Sequence, residues 1–264
     1  MAVDLYGPCP CGSGKKLKFC CSDLVGEIEK IHRMIEGDQM RAALAHVEQT
    51  LRKHPGRASL LDLKIMLETA LDNLDAAEKT LAEFAKADPQ NPSMWAQKAI
   101  VACQRHDMPT AVDALQEALA LVHQELPLRV LEAVGAVGHL LLLEGHIVAA
   151  QAHLWLYQGI AGQGDTRALE LIIKLNQSSG LPLLLRDQFY LKEVPVDHSA
   201  YQVAMAASEL SYEGKWKRAL ATLDTLTEEQ AAHPSIIYNR AILSGWLGNT
   251  TALVEGLHKF AQCD

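Results

Sequence analysis

The residues best able to do chemistry stand together near the start of the chain, in CPCGSGKKLKFCC at positions 9 to 21. Cys9, Cys11, Cys20 and Cys21 place four sulfurs in a very short stretch. A thioredoxin-type redox site needs C-x-x-C opening a helix after a strand, whereas the spacing here is C-x-C and nothing strand-like precedes it. A phosphate loop needs G-x-x-x-x-G-K-[ST]; Cys9 stands where the first glycine belongs and Lys16 where the hydroxyl belongs. A tetrahedral thiolate site suits the residues better, because zinc takes four ligands at about 2.3 Å from sulfur with no geometric preference of its own. Cys9 and Cys11 would come from one tight turn, and Gly12, Ser13 and Gly14 reverse the chain at little steric cost, with N–H groups free to donate to sulfur. KKLKF then returns as a strand or a single helical turn, bringing Cys20 and Cys21 to close the shell. Lys15, Lys16 and Lys18 offset part of the formal double negative charge of Zn²⁺ held by four thiolates. So short a segment cannot bury enough apolar surface to fold alone; structural zinc supplies roughly 10–16 kcal/mol in small peptides. The expectation is a structural zinc with no open coordination position.

The rest of the chain must carry this knot. Its 264 residues are 49% hydrophobic but only 5% aromatic, and Ala and Leu dominate, which favours helix. A formal net charge of −8 offers no global field for nucleic acid, so no specific DNA binding is expected. The opening MAVDLYGPCPCG has no apolar run of the signal-peptide kind, and the most apolar later stretch, Val134 to Leu143, is about half a membrane span and contains His139. A cytoplasmic protein without a membrane span is expected, and in that compartment clustered cysteines hold metals or do redox chemistry more often than they form disulfides.

Beyond the cysteines the chain repeats itself. Ala43, Ala77 and Ala111 are spaced 34 and 34, as are Pro55 and Pro89; Ala150 follows 39 residues on, so a small insertion is placed near Glu125 to Leu131. Ala219 lies 69 further, and Gly248 is 34 after Gly214. A fixed period of this length means stacked supersecondary units, each reading as two helices. Trp95, Ala99, Ala102 and Cys103 form one amphipathic stripe, with Asn91 as its cap and Pro92 in the first helical position. Asp107 opens the next helix, whose stripe is Ala111, Leu115, Ala118 and Leu119. Gly145, Gly214, Gly248 and, in a poorer copy, Asn73 mark the turns. Ala99, Gly138, Ala207 and Ala241 sit at one equivalent small station where the paired helices approach, with Trp95, Leu115, Leu154 and Leu223 filling the spaces between. No pair could bury its stripe alone.

This pattern resembles the tetratricopeptide repeat, or TPR, whose arrays wind into a right-handed superhelix with a concave binding face. The match is best from Pro92 to Glu125; Phe84, where the family prefers alanine, implies locally different packing. The resemblance implies an all-α, TPR-like right-handed helical solenoid of about five to six helix pairs, taking protein partners in its concave groove. The array is interrupted between 162 and 199: one helix is recognisable, Thr166 to Gln177, followed by Gly180, Pro182 and Pro195. A degenerate repeat and a loop packed into the groove are both open readings, and the segment is a reasonable seat of partner specificity. A last helix with Leu253, Leu257 and Phe260 on its inner stripe has no polar cap after it, so either a second subunit or further chain is expected to cover it.

The cysteine segment, Gly7 to Asp23, resembles the SEC-C motif, the zinc-binding tail of the preprotein-translocase ATPase SecA that is also found on unrelated proteins. Its signature, C-x-C-G-S-G-x-K followed by C-C or C-H, runs unbroken from Cys9 to Cys21. The resemblance implies Cys9, Cys11, Cys20 and Cys21 as zinc ligands, with cysteine at a position that is histidine in many members. In SecA the motif is associated with docking onto the chaperone SecB and with ribosome contact, partly through its lysines, so Lys15, Lys16 and Lys18 are candidate partner contacts.

Other constellations carry less. His139, His146 and His153 recur every seven residues, but Gly145 interrupts them and packing or surface histidines are the simpler reading. Cys103 reads as a small buried hydrophobe and Cys263 as a free thiol. Thr227 and Gln230 have capping-box spacing. Trp216, among Lys215, Lys217 and Arg218, is either a binding hot spot or, more simply, a turn tryptophan covering its helix pair. Where some TPR arrays grip a C-terminal carboxylate, this chain has Asp62, Leu63, Met66 and Gln97, so that clamp is not expected. The chain therefore divides into a zinc knot (1–22), TPR-like repeats (23–161), an irregular segment (162–199) and further repeats (200–264). Its expected role is that of a non-enzymatic adaptor, linked to protein export or chaperones. The alternatives are an accessory factor docking on a ribosome or enzyme through the basic knot, and the regulatory part of a larger enzyme.

Overall fold

The computed structural model describes residues 5–9, 11–123, 125–182, 185–186 and 188–263. Pro10 of the expected Cys-Pro-Cys turn and residues 183, 184 and 187 of the irregular segment lie outside them. The fold is all-α and built of TPR-like helix pairs, and it forms two compact units, 1–133 and 134–264.

The first unit holds three pairs: α1 (Val25–Glu36) with α2 (Met40–Lys53), α3 (Ala58–Ala70) with α4 (Leu74–Ala87), and α5 (Pro92–Gln104) with α6 (Met108–Ala120). The second helices begin at 40, 74 and 108, on the 34-residue ruler. Each pair packs on the next, α2 on α3 and α4 on α5, with α3 and α5 also touching directly. The ends follow from local chemistry. Asn91 accepts from the Ser93 N–H and Pro92 needs no partner, while Asp107 accepts from the Thr110 N–H. The tight turns require a left-handed residue, supplied here by Asp38, Asp72 and His106 at φ 56°, 59° and 57°. Asp72, not Asn73, takes that conformation; Asn73 sits one residue later as the residue preceding α4. Phe84 is fully buried and replaces the expected small contact with a large one, packing beside Leu61, Ile65 and Met94.

The boundary falls within α7 (Leu128–Leu143), which pairs with α8 (Ile147–Ala161). The extra length of this repeat is shared between the 121–127 connector and α7 itself, 16 residues against 13 in α5. A Cβ on Gly138 would stand 3.1 Å from the His153 Cβ, which is why that station must stay small. The second unit continues with α9 (Arg167–Gln177), α10 (Tyr201–Tyr212), α11 (Trp216–Leu223), the one-turn α12 (Glu228–Ala231), α13 (Pro234–Trp246) and α14 (Thr250–Phe260). Here Gly145, Gly214 and Gly248 supply the left-handed turn residues. Thr227 and Gln230 form the full capping box in front of α12. Between α9 and α10 the described residues form no α-helix or strand; apart from a 3₁₀ turn at Leu185 they run as an irregular strap over α8 and α13, burying Val194 with Leu191 and Phe189 packed alongside. The interruption is thus one helix followed by a packed loop.

Candidate metal centre

The knot is assembled from very few backbone bonds. Lys18 N–H donates to the Leu5 carbonyl (2.8 Å), Leu17 N–H to Gly7 (3.0 Å) and Cys9 N–H to Lys15 (2.8 Å), so the outgoing and returning segments pair antiparallel through a single bridge, Pro8 with Lys16. Gly12 and Gly14 make the reversal at φ 75° and 70°. The returning segment then tightens into a 3₁₀ turn, Leu17–Phe19, so both forms expected of KKLKF occur in succession. Leu17 is the pivot: its side chain is buried, and its carbonyl accepts from the N–H of both Cys20 and Cys21 at 3.1 Å, which fixes the second pair of sulfurs.

All four Sγ atoms lie within 4.8 Å of one another, with Cys11 to Cys20 at 3.4 Å and Cys20 to Cys21 at 3.9 Å. Four sulfurs about 2.3 Å from one ion stand about 3.8 Å apart, whereas a disulfide brings two to about 2.05 Å. The thiols are free and spaced as a tetrahedral shell requires. Cys9, Cys11 and Cys21 are buried and Cys20 is partly exposed.

The knot rests on the first turns of α3 and α5, and it uses equivalent positions of the two repeats. Asn91, 2% exposed, turns its Nδ2 to the Cys11 carbonyl (2.8 Å) while its Oδ1 caps α5. Arg57, 34 residues earlier, clasps Asp23 with both terminal nitrogens at 2.7 and 2.8 Å and holds that carboxyl below its ordinary range. Ser59 and Ser93, again 34 apart, are buried with their hydroxyls short of an ordinary hydrogen-bond partner. Ser93 Oγ lies so close to Gly12 that a Cβ there would meet it at 2.1 Å.

Charge follows the same arrangement. The Cys21 thiol is held far below its usual range by hydrogen bonds from Cys11 and Cys9, with Ser59 and Arg57 adding to the effect against the opposing effect of burial. Cys11 is pushed far up because it donates to Cys21 and Cys9 and is buried. Cys9 also rises, to about 12: a hydrogen bond from Cys11 opposes the rise, but interaction with Cys21 and burial outweigh it. Sulfurs this close cannot all ionise without a cation among them, and a dication would take the place of the protons they hold. The donor set fits a bound metal ion, and the buried hydroxyls of Ser59 and Ser93 beside it can donate to thiolate sulfur.

Of the expected contacts, Lys15, Lys16 and Lys18 are exposed on the outside of the knot. Lys18 donates to the Tyr6 hydroxyl (3.0 Å) and lies over the rings of Tyr6 and Phe19, both exposed. The cation turned toward the cluster's backbone is Arg57 instead, whose Nη2 donates to the Cys20 carbonyl at 3.5 Å. Trp216 is 3% exposed, donates to the Ser211 carbonyl at 3.1 Å and packs on His153 and Trp246, so it covers its helix pair, while its ring also borders a cavity of the second unit. The three histidines do not converge: His139 is exposed, His146 approaches Thr250, and His153 is buried with Nδ1 donating to the Ala149 carbonyl. Asp62 and Gln97, at the place of the missing clamp, bond each other at 2.8 Å and Arg129 joins Asp62 at 3.2 Å, so they satisfy themselves. Arg57, Ser59, Asn91 and Ser93 were not foreseen as parts of the site, although their shared repeat positions were readable.

No protein-family model matches the chain, and no curated protein matches it. Among solved structures, one described as the crystal structure of YrrB, a TPR protein with an unusual peptide-binding site, aligns over 81% of this chain and 90% of its own, at 15% identity and a TM-score of 0.35. The class is defined by the helix pairs on their 34-residue spacing and by the four-sulfur cluster: an all-α, TPR-like protein with an N-terminal cysteine knot able to hold a metal ion. No helix among the described residues is long and apolar enough to cross a membrane.

Proposed function

We propose that the chain is a non-enzymatic adaptor for other proteins, and that its knot holds one structural zinc. The observation that carries this reading is the closed shell of four mutually adjacent sulfurs seated across two successive repeats. A site enclosed in this way favours a structural ion over a catalytic one, because four thiolates leave zinc no open position for a substrate. Helix pairs stacked at this period offer long surfaces for protein partners, and a link to protein export or chaperones follows the SEC-C resemblance. Elemental analysis of the purified chain is expected to find about one zinc per chain, lost in Cys11→Ser; a metal-free wild type would overturn the zinc assignment. Affinity capture with the full chain should recover protein partners, and turnover of a small molecule by the pure chain would retire the adaptor reading.

The exposed Lys15, Lys16 and Lys18 beside Phe19 and Tyr6 favour a second reading, docking of the knot on an anionic assembly such as the ribosome. It predicts co-sedimentation that weakens with salt and disappears on reversing the three charges.

A further inference from the structure

The strap in the second unit is held in an unusual manner. Asn239, on α13 and 3% exposed, donates from Nδ2 to the Lys192 carbonyl (2.8 Å) and accepts the Lys192 N–H at Oδ1 (2.7 Å). One side-chain amide thus reads both polar groups of one residue in an irregular segment without regard to its side chain. On α8, Gln151, also 3% exposed, does half of the same: Nε2 donates to the Leu185 carbonyl at 3.0 Å, but Oε1 is buried without a partner. The reason is local, since the Leu185 N–H is spent on the Pro182 carbonyl at 2.9 Å in a turn of the strap itself. A segment extended at this point would offer that N–H to Gln151 instead. Beside the strap lies a cavity of about 410 Å³, walled by Trp155, Tyr212, Trp216 and Trp246, which Phe189 and Leu191 border without filling. A buried acceptor short of a donor and an aromatic-walled space left open both describe an imperfect occupant.

We infer that the surface formed by α8 and α13 is a binding site for an extended peptide of a partner protein, with an aromatic side chain for the cavity, and that residues 185–186 and 188–194 occupy it in cis until displaced. Asn239 and Gln151 read the ligand's main chain, and the apolar patches that receive Phe189, Leu191 and Val194 set the spacing of its side chains. The inference rests on the adaptor reading and adds to it the chemistry of the ligand.

The test uses the full chain and a fluorescein-labelled peptide, LRDQFYLKEVPV, copied from residues 185–196. Replacing residues 188–194 by a Gly-Ser linker of equal length should tighten peptide binding at least about tenfold over the wild type, and adding Asn239→Ala should abolish that gain. A linker variant that keeps its helical circular dichroism yet binds the peptide no better than the wild type overturns the inference. Should the linker variant fail to fold, hydrogen exchange on the wild type decides. A Lys192 amide exchanging at least about tenfold faster than the amides of α13 supports a displaceable strap, and exchange in step with α13 overturns it. Partner capture by the unaltered chain is scored separately, so the adaptor reading can stand where this one falls.

Discussion

Each unit of the molecule lays a non-helical segment over its helix pairs, and the two are fastened by opposite means. In the first unit the segment is about twenty residues of knot, with Leu17 its one deeply buried large side chain among the described residues, and its main fastening is four sulfurs arranged for an ion. In the second, the strap brings Phe189, Leu191 and Val194 to apolar clusters and has its main chain held by two carboxamides. A segment with little apolar surface needs a strong point interaction to offset the entropy of ordering it; one with more can be held by many weak ones. The first kind of fastening is all-or-none, and the second can be loosened by degrees.

That contrast can be broken from either side. The largest effect is expected from Cys11→Ser: with zinc bound as proposed, metal binding and folding of the knot would be one process, and the loss should lower stability by more than about 4 kcal/mol. A strong chelator should shift the melting of the wild type by a similar amount and leave the variant unmoved. Equal melting of the two proteins in excess zinc would show that the sulfurs do not fasten the knot.

Acid should act on the second unit through one buried histidine. His153 is fully buried and its pKa is pulled down to about 4 by loss of hydration, against the pull of its bond to Ala149. Its neutral form is the folded one, so on acidification the unfolded chain takes up the proton first. The stability it contributes is whole above about pH 6.5 and drains away as pH falls towards 4, by up to about 3 kcal/mol. Tryptophan-detected denaturation across this window should show a gentler pH slope in His153→Leu than in the wild type; identical slopes would remove His153 from the account.

The smallest effect sharpens the comparison most. Asn239→Ala leaves the Lys192 N–H and carbonyl without their partner and should cost about 1–3 kcal/mol, read by urea denaturation, while zinc content stays at that of the wild type. A fall in bound zinc would mean that the two fastenings are coupled.

Much of the fold was legible because its rules are local and periodic. The 34-residue spacing of Ala43, Ala77 and Ala111, the caps Asn91 and Asp107 and the small stations at Ala99 and Gly138 each act within one repeat or between neighbours. The cysteines were legible for a similar reason, since ligand spacing is a property of one short segment. What escaped was long-range. Nothing in the vicinity of Asn91 announces the Cys11 carbonyl, and its capping role hides the second use of the same side chain. Asn239 likewise reads as one polar residue on a helix until the strap is laid against it. Trp216 allowed two readings from sequence, a hot spot among Lys215, Lys217 and Arg218 or, more simply, a cover for its helix pair, and the indole is turned inward onto His153.

The paired seats of the knot carry a consequence for how the stack comes apart. In a linear array each member ordinarily depends only on its neighbours and can fray singly from an end. Arg57 and Ser59 belong to one member, Asn91 and Ser93 to the next, and a single bolt of sulfur passes across both. Those two members, the second and third pairs of the first unit, are tied to each other, so the stack is expected to open there as one double-width block rather than pair by pair.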